Sequence, residues 1–253
     1  MSQRPFLLSP DPNAPFPAAE LALRQPDGLL AVGGDLSPTR LLNAYRHGIF
    51  PWFSAGQPIL WWSPDPRMVF RTEGVKLSSR FRRELRRSRW WMAADTDFDQ
   101  VIRACALSPR AGQNGTWITE EMQAAYLELH RLGHAHSIEV FEEDDSGARQ
   151  LVGGIYGVAI GRMFFGESMF SAVSGGSKVA LAALAYRLRE WDWPLIDAQV
   201  ENDHLMSLGA EHWPRARFLQ QVAEQVVQED SPGHWTERFG RMPASLLSTA
   251  HKN

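Results

Sequence analysis

Cysteine is nearly absent from the 253-residue chain, in which Cys105 is the only one. A single thiol excludes an intrachain disulfide framework and a cysteine-based zinc site, and it fits a reducing compartment. The sequence also has no run close to the roughly 18 apolar residues that span a bilayer. Because the N-terminus lacks the basic start and long apolar segment of a signal peptide, we predict a soluble, cytoplasmic protein.

Positive charge is not in excess either, since 26 Lys and Arg are outnumbered by 29 Asp and Glu. The net charge of −3 at pH 7 excludes a chain-wide basic field, so a nucleic-acid partner would have to bind a local patch. The sequence has no Gly-x-x-x-x-Gly-Lys-Ser/Thr loop for nucleotide phosphates. The Gly166-Glu167-Ser168 segment lacks the second glycine of a nucleophile elbow, which excludes that hydrolase motif.

Tryptophan, by contrast, is abundant, with ten residues in a chain that is 44% hydrophobic. This length and composition suffice for a full core, in one large domain or two unequal ones. Up to about Phe70 the chain has Pro- and Gly-rich turns, aromatic runs broken by proline, and one helix that begins at Pro38 after the N-cap Ser37. We predict a small N-terminal α/β domain over residues 1–70 and a larger domain over residues 71–253.

In the larger segment, the hydrophobic period changes from helical to alternating after Gly133. Three alternating runs predict a β-meander over His136–Phe141, Leu151–Val158 and Arg162–Phe165. A helix, a strand and another helix are then predicted over Ser177–Trp191, over Pro194–Val200 and from Pro214. This order predicts an α+β fold, with a mostly antiparallel sheet flanked by helices.

The strand Pro194–Val200 carries the first candidate site, because side chains alternate between its two faces. Ile196, Ala198 and Val200 are expected to face the core. Leu195, Asp197 and Gln199 share the other face, so a carboxylate and a carboxamide point the same way. From this strand alone, the simpler interpretation is an outer face that is merely solvated.

Glu167 favours a functional site over a merely solvated face, because it lies inside the apolar and aromatic run Phe164–Phe170. A buried carboxylate must be paired or functional. One possibility is a structural pair with Arg162 or Lys178. The other places Glu167 beside Asp197, in a pocket with apolar walls, where two acids suit general-base catalysis or recognition of a cationic substrate.

Residues 76–89 contain seven Lys or Arg and a single acid, Glu84. Leu77, Phe81 and Leu85 recur every fourth residue, which predicts a helix with one apolar stripe. Such a helix is often a solvated face whose cations pair with acids elsewhere. In an otherwise acidic chain, this local excess favours contact with a nucleic-acid backbone.

Two further motifs are weaker. Gly175-Gly176 opens a helix whose free N–H groups could bind a phosphate, but a plain turn is the more common explanation. His130, His134 and His136 are clustered, yet Gly133 interrupts the helix between the first two. We therefore predict no metal site.

Several linked motifs give the chain a family likeness. In order they are 28–37 (GLLAVGGDLS), 48–53 (GIFPWF), 60–67 (LWWSPDPR), 115–118 (GTWI), 133–137 (GHAHS), 166–170 (GESMF) and 195–199 (LIDAQ), which continues to 202–204 and 207–210. With these motifs the chain resembles the bacterial leucyl/phenylalanyl-tRNA–protein transferases over nearly its whole length. It departs from the pattern at Gly175-Gly176, where many relatives have Asn-Ala, and at Ala198, where a Cys is expected.

The resemblance implies an enzyme that moves Leu or Phe, and less readily Met, from aminoacyl-tRNA to the α-amine of a protein that begins with Arg or Lys. The product carries a new peptide bond and is marked for degradation by the N-end rule. The larger domain is expected to resemble the N-acetyltransferase fold. Because the aminoacyl ester is already activated, no ATP or other cofactor is expected, and nothing demands more than a monomer.

The resemblance also implies site residues. Gln199 would accept a hydrogen bond from the attacking amine, Asp197 would orient and polarise Gln199, and Glu167 would hold the amine or the cationic side chain of the acceptor. A substrate-assisted route, in which the two acids mainly position groups, is equally compatible.

The remaining implied residues bind the two substrates. The donor side chain would lie in a narrow pocket lined by Ile155, Phe164 and Leu184. The terminal adenosine and neighbouring groups would contact Trp52, Trp117, Tyr126 and Tyr45. The acceptor stem would contact the basic helix through Arg80, Arg83 and Arg87.

Two rival functions stay open at this point. A CoA-dependent N-acetyltransferase on the same fold should have an Arg/Gln-x-x-Gly-x-Gly/Ala turn before a helix, which the sequence does not contain. A non-enzymatic tRNA-binding module would keep the basic helix but would have no reason to bring Glu167 and Asp197 together.

Overall fold

The computed structural model describes residues 4–108, 116–230 and 232–249 of the chain. Its strands, in chain order, are β1 (Phe6–Leu7), β2 (Leu29–Val32), β3 (Phe50–Pro51), β4 (Leu60–Trp62), β5 (Arg67–Arg71), β6 (Trp90–Ala94), β7 (Ala135–Glu143), β8 (Arg149–Ile160), β9 (Met163–Ser171), β10 (Leu195–Gln199), β11 (Glu211–Trp213) and β12 (Met242–Pro243). Its α-helices are α1 (Pro38–Arg46), α2 (Ser79–Leu85), α3 (Phe98–Leu107), α4 (Glu120–Arg131), α5 (Gly176–Glu190), α6 (Asp203–Ser207), α7 (Arg215–Gln225) and α8 (Thr236–Phe239). No described helix is both long and apolar enough to span a bilayer.

The N-terminal part of the chain forms a four-stranded sheet in the order β1-β2-β4-β3. Helix α1 begins as predicted, because the Ser37 side chain accepts a hydrogen bond from the backbone N–H of Arg40 at 3.4 Å and Pro38 occupies the first helical turn. Tyr45, near its end, is fully buried. Since α1 contacts both β8 and α4, it joins the small sheet to the rest of the molecule.

The larger part is built on an eight-stranded sheet in the order β11-β5-β10-β9-β8-β7-β6-β12. Its neighbouring strands are antiparallel except β9 and β10, which are parallel. A parallel pair needs a crossover connection, and α5 supplies it. The α+β fold with a mostly antiparallel sheet flanked by helices is therefore confirmed.

Both faces of this sheet are covered, by α3 and α4 on one side and by α5 on the other. Neighbouring residues go to opposite cores in three central strands: Ile155 and Tyr156, Phe164 and Phe165, Leu195 and Ile196. The interpretation of β10 as a strand with a merely solvated outer face is thus wrong, because both of its faces are packed. At its end, Val200, expected in the core, is instead 40% exposed.

Strand β5 lies near the predicted boundary between the two domains. It pairs with both β10 and β11, so residues 67–70 of the predicted first domain belong to the larger sheet. One buried core also contains residues from both sides of the boundary, such as Trp61 and Phe165. The division at residue 70 stays a prediction.

The basic helix is shorter than predicted. Lys76 and Leu77 precede it, because Ser78 caps its start by accepting a hydrogen bond from the backbone N–H of Phe81 at 3.2 Å. After Leu85 the chain turns into β6, whose two tryptophans pair with β7 rather than continue a helix. Pairing with β7 holds Trp90 and Trp91 in a strand, where aromatic side chains pack well, and this pairing ends the helix early.

The double glycine before α5 has a packing explanation. A Cβ atom at Gly176 would come within 2.8 Å of Gly153 Cα on β8, and Gly175 adopts a φ of +95° against the ring of Phe81. The first helical turn is also occupied, since the backbone N–H of Ser177 donates to Ser171 Oγ at 2.9 Å. Close approach of helix and strand, rather than phosphate binding, requires glycine here.

Candidate active site

Glu167 lies at the centre of a buried hydrogen-bond network. It projects from β9 with only 8% of its surface exposed, and it accepts hydrogen bonds from the hydroxyls of Tyr45 at 2.7 Å and Tyr126 at 2.9 Å. The side-chain amide of Gln199 donates a third, also at 2.7 Å. Helices α1 and α4 and strands β9 and β10 therefore meet at one carboxyl group.

Burial raises the pKa of Glu167 to about 7, although the hydrogen bonds from Tyr45, Tyr126 and Gln199 oppose this rise. The negative charge of Asp197 nearby adds to it. A carboxyl group that titrates near neutral pH is suited to accept and return a proton.

The two tyrosines stay protonated at neutral pH. Burial and the negative charge of Glu167 hold the pKa of both the Tyr45 and the Tyr126 hydroxyl well above 10. Their hydroxyls are also in close contact with each other. They therefore act as hydrogen-bond donors that fix the Glu167 side chain.

Asp197, on β10, is completely buried and is paired with a residue that sequence reasoning missed. Arg67 donates to it twice, from Nε to Oδ1 at 2.8 Å and from Nη2 to Oδ2 at 2.6 Å. Arg67 is itself fully buried, between the rings of Phe50 and Phe218. A cation at the end of the 60–67 motif, followed by the apolar run Met68–Phe70, was the available signal, since a buried Arg requires a buried acid.

Gln199 has an unusual backbone. The β5–β10 ladder shifts register between Asp197 and Gln199, and Gln199 adopts a φ of +63°. Its backbone N–H donates to Asp197 Oδ1 at 2.9 Å. Left-handed backbone in a residue other than glycine clusters at functional sites, where surrounding contacts hold it in place.

Three of these residues, Glu167, Asp197 and Gln199, line one side of a cavity of about 410 Å³, which is called its floor below. Its wall is largely apolar, with Phe70, Ile155, Met169, Leu181 and Ile196. Its rim carries Trp52 and Trp117. The arrangement places one carboxyl group with a raised pKa and one carboxamide beneath a space that accommodates an apolar side chain.

Comparisons with known proteins decide the family. A model of the leucyl/phenylalanyl-tRNA protein transferase family matches residues 69–223, and one of its N-terminal domain matches residues 34–65.

The chain belongs to this family.

Its relatives confirm the assignment. The leucyl/phenylalanyl-tRNA–protein transferase of Xanthomonas euvesicatoria pv. vesicatoria (strain 85-10) is 72% identical over 245 residues, which are 97% of this chain and 96% of that protein. The protein of the same name from Xylella fastidiosa (strain M23) is 62% identical over 240 residues, 95% and 97% of the two chains. The predicted family and the prediction of a transferase enzyme are confirmed, which sets aside the non-enzymatic alternative.

Among solved structures, that of FemX aligns with a TM-score of 0.41 and 11% identity over 74% of this chain and 71% of that one. This score is too low to carry an argument, so the likeness to the N-acetyltransferase fold stays a prediction.

Within this member of the transferase family, the structure brings together most of the expected site residues. Glu167, Gln199, Tyr45 and Tyr126 are in direct contact, and Ile155, Trp52 and Trp117 line the cavity.

Four residues are placed differently from the expectation. Phe164 is 1% exposed and Leu184 fully buried; both lie in the core outside the cavity lining, to which Leu181 and Met169 contribute instead. Leu181 lies one helical turn before Leu184 on α5, so the cavity is nearer the start of that helix than expected. Tyr45 and Tyr126, expected to contact the substrate, are fully buried and donate hydrogen bonds to Glu167.

A second depression, of about 940 Å³, shares Trp52 and Trp117 with the first. Its other walls come from the 53–62 hairpin and from the start of α4, including Phe53, Trp62 and Gln123. The two tryptophans therefore lie between the first cavity and the second, larger depression. Of the 115–118 motif, Gly115 lies outside the described residues.

The basic helix α2 exposes Arg80, Arg83 and Arg87 at its surface and just past its end. Phe81, on the opposite side, lies against Gly175 at the start of α5. Helix α5 therefore contacts α2 at its start and lines the cavity through Leu181.

Three histidines, His130, His136 and His234, lie around Asp95, whereas His134 of the predicted cluster does not. His136 Nδ1 lies 2.8 Å from Asp95 Oδ2, and its ring stacks on Trp235 at 3.9 Å. Ligand atoms of Asp95, His130 and His234 lie within 4.8 Å of one another. The Asp95 carboxylate already accepts hydrogen bonds from the backbone N–H groups of Ser137 and Trp235, so the cluster serves to fix the C-terminal segment to the sheet.

Proposed function

We propose that the chain transfers Leu or Phe, and less readily Met, from aminoacyl-tRNA to the α-amine of proteins that begin with Arg or Lys. The observation that carries this proposal is the carboxyl–carboxamide pair, Glu167 and Gln199, at the floor of an apolar cavity in a chain of this family. We further propose that the enzyme works as a monomer in the cytoplasm, where its products enter N-end-rule degradation.

The donor side chain occupies the apolar cavity. Ile155, Met169 and Leu181 form a wall that an unbranched or γ-branched side chain such as Leu, Phe or Met fills by burying apolar surface. A side chain branched at Cβ places its bulk next to the ester rather than against this wall, so it is disfavoured. In this account Phe164 and Leu184 support the wall from behind.

The amine is activated by a modest base. A peptide α-amine has a pKa of about 7.7–8.0, so a substantial fraction of the acceptor is already neutral at cellular pH. The amide of Gln199 donates to Glu167 through Nε2, which leaves its carbonyl oxygen Oε1 to accept a hydrogen bond from the amine. Glu167, with its pKa near 7, then takes the amine proton.

The reaction balances without a cofactor. The amine nitrogen forms a bond to the ester carbonyl carbon, and the bond from that carbon to the ribose oxygen breaks. The proton removed from the amine ends on the ribose oxygen, returned by Glu167 directly or through the neighbouring hydroxyl of the ribose. If that hydroxyl carries the proton throughout, Glu167 and Asp197 only position groups, which is the substrate-assisted alternative.

The tRNA is held at two places. Trp52 and Trp117, at the rim of the cavity, offer flat surfaces for the terminal adenosine, since base–aromatic stacking tolerates any base. Arg80, Arg83 and Arg87 on and after α2 offer exposed cations to the phosphates of the acceptor stem. Tyr45 and Tyr126 contribute indirectly, through Glu167.

Label transfer tests the proposal. Radiolabelled Leu-tRNA is incubated with the protein and a peptide that begins with Arg; the same peptide with an acetylated N-terminus and one that begins with Ser serve as controls. We expect label in the free Arg peptide alone. Absence of label from that peptide, with intact Leu-tRNA, would contradict the proposed function.

A further inference from the structure

Arg67 and Asp197 form a fully buried ion pair that is held by two hydrogen bonds. The guanidinium donates two hydrogen bonds to Asp197, at 2.8 and 2.6 Å, and its third nitrogen, Nη1, has no hydrogen-bond partner among the described residues. Its faces are covered by the rings of Phe50 at 4.7 Å and Phe218 at 4.5 Å. Both Arg67 and Asp197 are fully buried.

The ladder explains why these two residues meet. Asp197 on β10 is opposite Val69 on β5, and Arg67 lies two residues along β5, so its side chain leaves the same face of the sheet. The planar fork of an arginine matches a carboxylate with two parallel hydrogen bonds, which fixes the carboxylate in orientation as well as in charge.

The fixed carboxylate in turn fixes the backbone of Gln199. Asp197 Oδ1, which accepts from Arg67 Nε, also accepts from the backbone N–H of Gln199 at 2.9 Å. That hydrogen bond holds Gln199 at a φ of +63°, a conformation that side chains other than glycine rarely adopt. From this turn the Gln199 amide reaches Glu167 at 2.7 Å.

We propose that Arg67 is a positioning residue of the transfer reaction, which holds Asp197 so that Asp197 fixes the left-handed turn at Gln199 and takes no part in proton transfer. This inference rests on the proposed function. A proton on Asp197 would leave the guanidinium buried without its counter-ion, which is strongly unfavourable. Glu167 is then the carboxyl group left to accept the amine proton.

Removing the Arg67 charge should also change the pH at which Glu167 ionises. The groups that face Glu167 are the hydroxyls of Tyr45 on α1 and Tyr126 on α4, and the side chains of Asp197 and Gln199 on β10. Arg67 on β5 is the cation that offsets Asp197. Without it, the uncompensated charge of Asp197 disfavours ionisation of Glu167 and moves its titration to higher pH.

Four variants test this: Arg67→Lys, Arg67→Gln, Asp197→Asn and the double variant Arg67→Gln/Asp197→Asn. The matched control is Arg71→Gln, on the same strand, where the arginine is half exposed and pairs with Glu73 and Glu211. Single-turnover transfer from Leu-tRNA to an Arg peptide is measured against pH, per folded molecule, together with KM for Leu-tRNA.

For Arg67→Gln we expect kcat to fall at least about tenfold with KM within about twofold, because the reacting geometry rather than tRNA binding is lost. The acid limb of its pH profile should move up by about one unit. Arg67→Lys should keep the wild-type acid limb and lose part of kcat. The double variant, which restores a neutral hydrogen-bonded pair, should recover kcat relative to Asp197→Asn.

Two results would overturn the inference: an Arg67→Gln variant that loses only stability, with kcat and acid limb unchanged, or a double variant no more active than either single one. If Arg67→Gln does not fold, Arg67→Lys and the double variant decide alone: the inference fails if Arg67→Lys keeps full kcat or the double variant shows no recovery over Asp197→Asn. If the wild type and Arg71→Gln transfer no label, it is the proposed function that fails instead.

Discussion

The cavity floor and the surface of α2 both carry ionised side chains, but they use them in opposite ways. On the floor, Glu167 and Asp197 are at most 8% exposed, and their oxygens accept hydrogen bonds from fixed donors. On α2, Arg80 is 86% exposed and its ion pair with Glu84 lies open to solvent. One region is almost completely buried and hydrogen-bonded, and the other is exposed to solvent.

Burial therefore determines how strongly the substitution of a single residue affects activity. In a buried network the removal of one group leaves its partners unsatisfied, so single substitutions have large effects on the chemical step. Exposed charges act additively through a screened field, so single substitutions have small effects and groups of them change affinity.

The largest effect is expected for Glu167→Gln. It removes the proton acceptor with little change of shape, so kcat should fall by about 10²–10⁴-fold while tRNA affinity stays within about twofold. Single-turnover transfer and filter binding measure the two quantities. The matched control is Glu139→Gln: Glu139 is also fully buried, burial also raises its pKa to about 7, but it lies away from the cavity beside Thr96. Equal losses in both variants would break the contrast.

A smaller effect is expected at the rim, where Trp52 and Trp117 lie between the two regions. Trp117→Ala should weaken binding of aminoacyl-tRNA by about 1–3 kcal/mol, because a stacking surface for the adenosine is lost. Trp117→Phe keeps a flat ring and should retain most of the affinity. If Trp117→Ala lowers kcat and leaves the affinity for tRNA unchanged, the residue does not hold the adenosine.

The contrast predicts the smallest single-residue effects on α2. Changing Arg80, Arg83 and Arg87 together to Ala should reduce the salt dependence of tRNA binding by about 2–3 units of slope. Arg80→Ala alone should change the affinity by no more than about threefold. Arg131→Ala, an exposed arginine that pairs with Glu128 on α4, is the control. An unchanged salt slope in the triple variant would show that α2 is a solvated helix that does not bind tRNA.

Much of the fold followed from local signals. Ser37 and Pro38 predicted the start of α1, and the alternating runs after Gly133 predicted β7 and β8 within a few residues. Glu167 stood out because a carboxylate in an aromatic run needs a partner. Signals of this kind lie within a few residues of one another, so a single sequence carries them.

The remaining features depend on long-range packing. Arg67 and Asp197 are 130 positions apart, and only the pairing of β5 with β10 brings them together. Leu181 and Leu184 lie one turn apart on α5 and in the same buried core, but of the two only Leu181 lines the cavity, which the helical period alone does not reveal. The end of the basic helix at Leu85 depended on β6 pairing with β7, which the strand's own sequence indicated only weakly.

Whether Glu167 accepts the amine proton is decided by the pH dependence of single-turnover transfer to an Arg peptide. A carboxylate base must be ionised, so its contribution is lost as pH falls through about 7, where the pKa of Glu167 lies. The acceptor amine, with a pKa of about 7.7–8.0, loses reactivity in the same direction. With both groups required, the wild-type second-order rate constant should rise about 100-fold per pH unit below about pH 6.5, and that of Glu167→Gln only about tenfold. A wild-type profile with the tenfold rise throughout would contradict the account and leave the substrate-assisted route in its place.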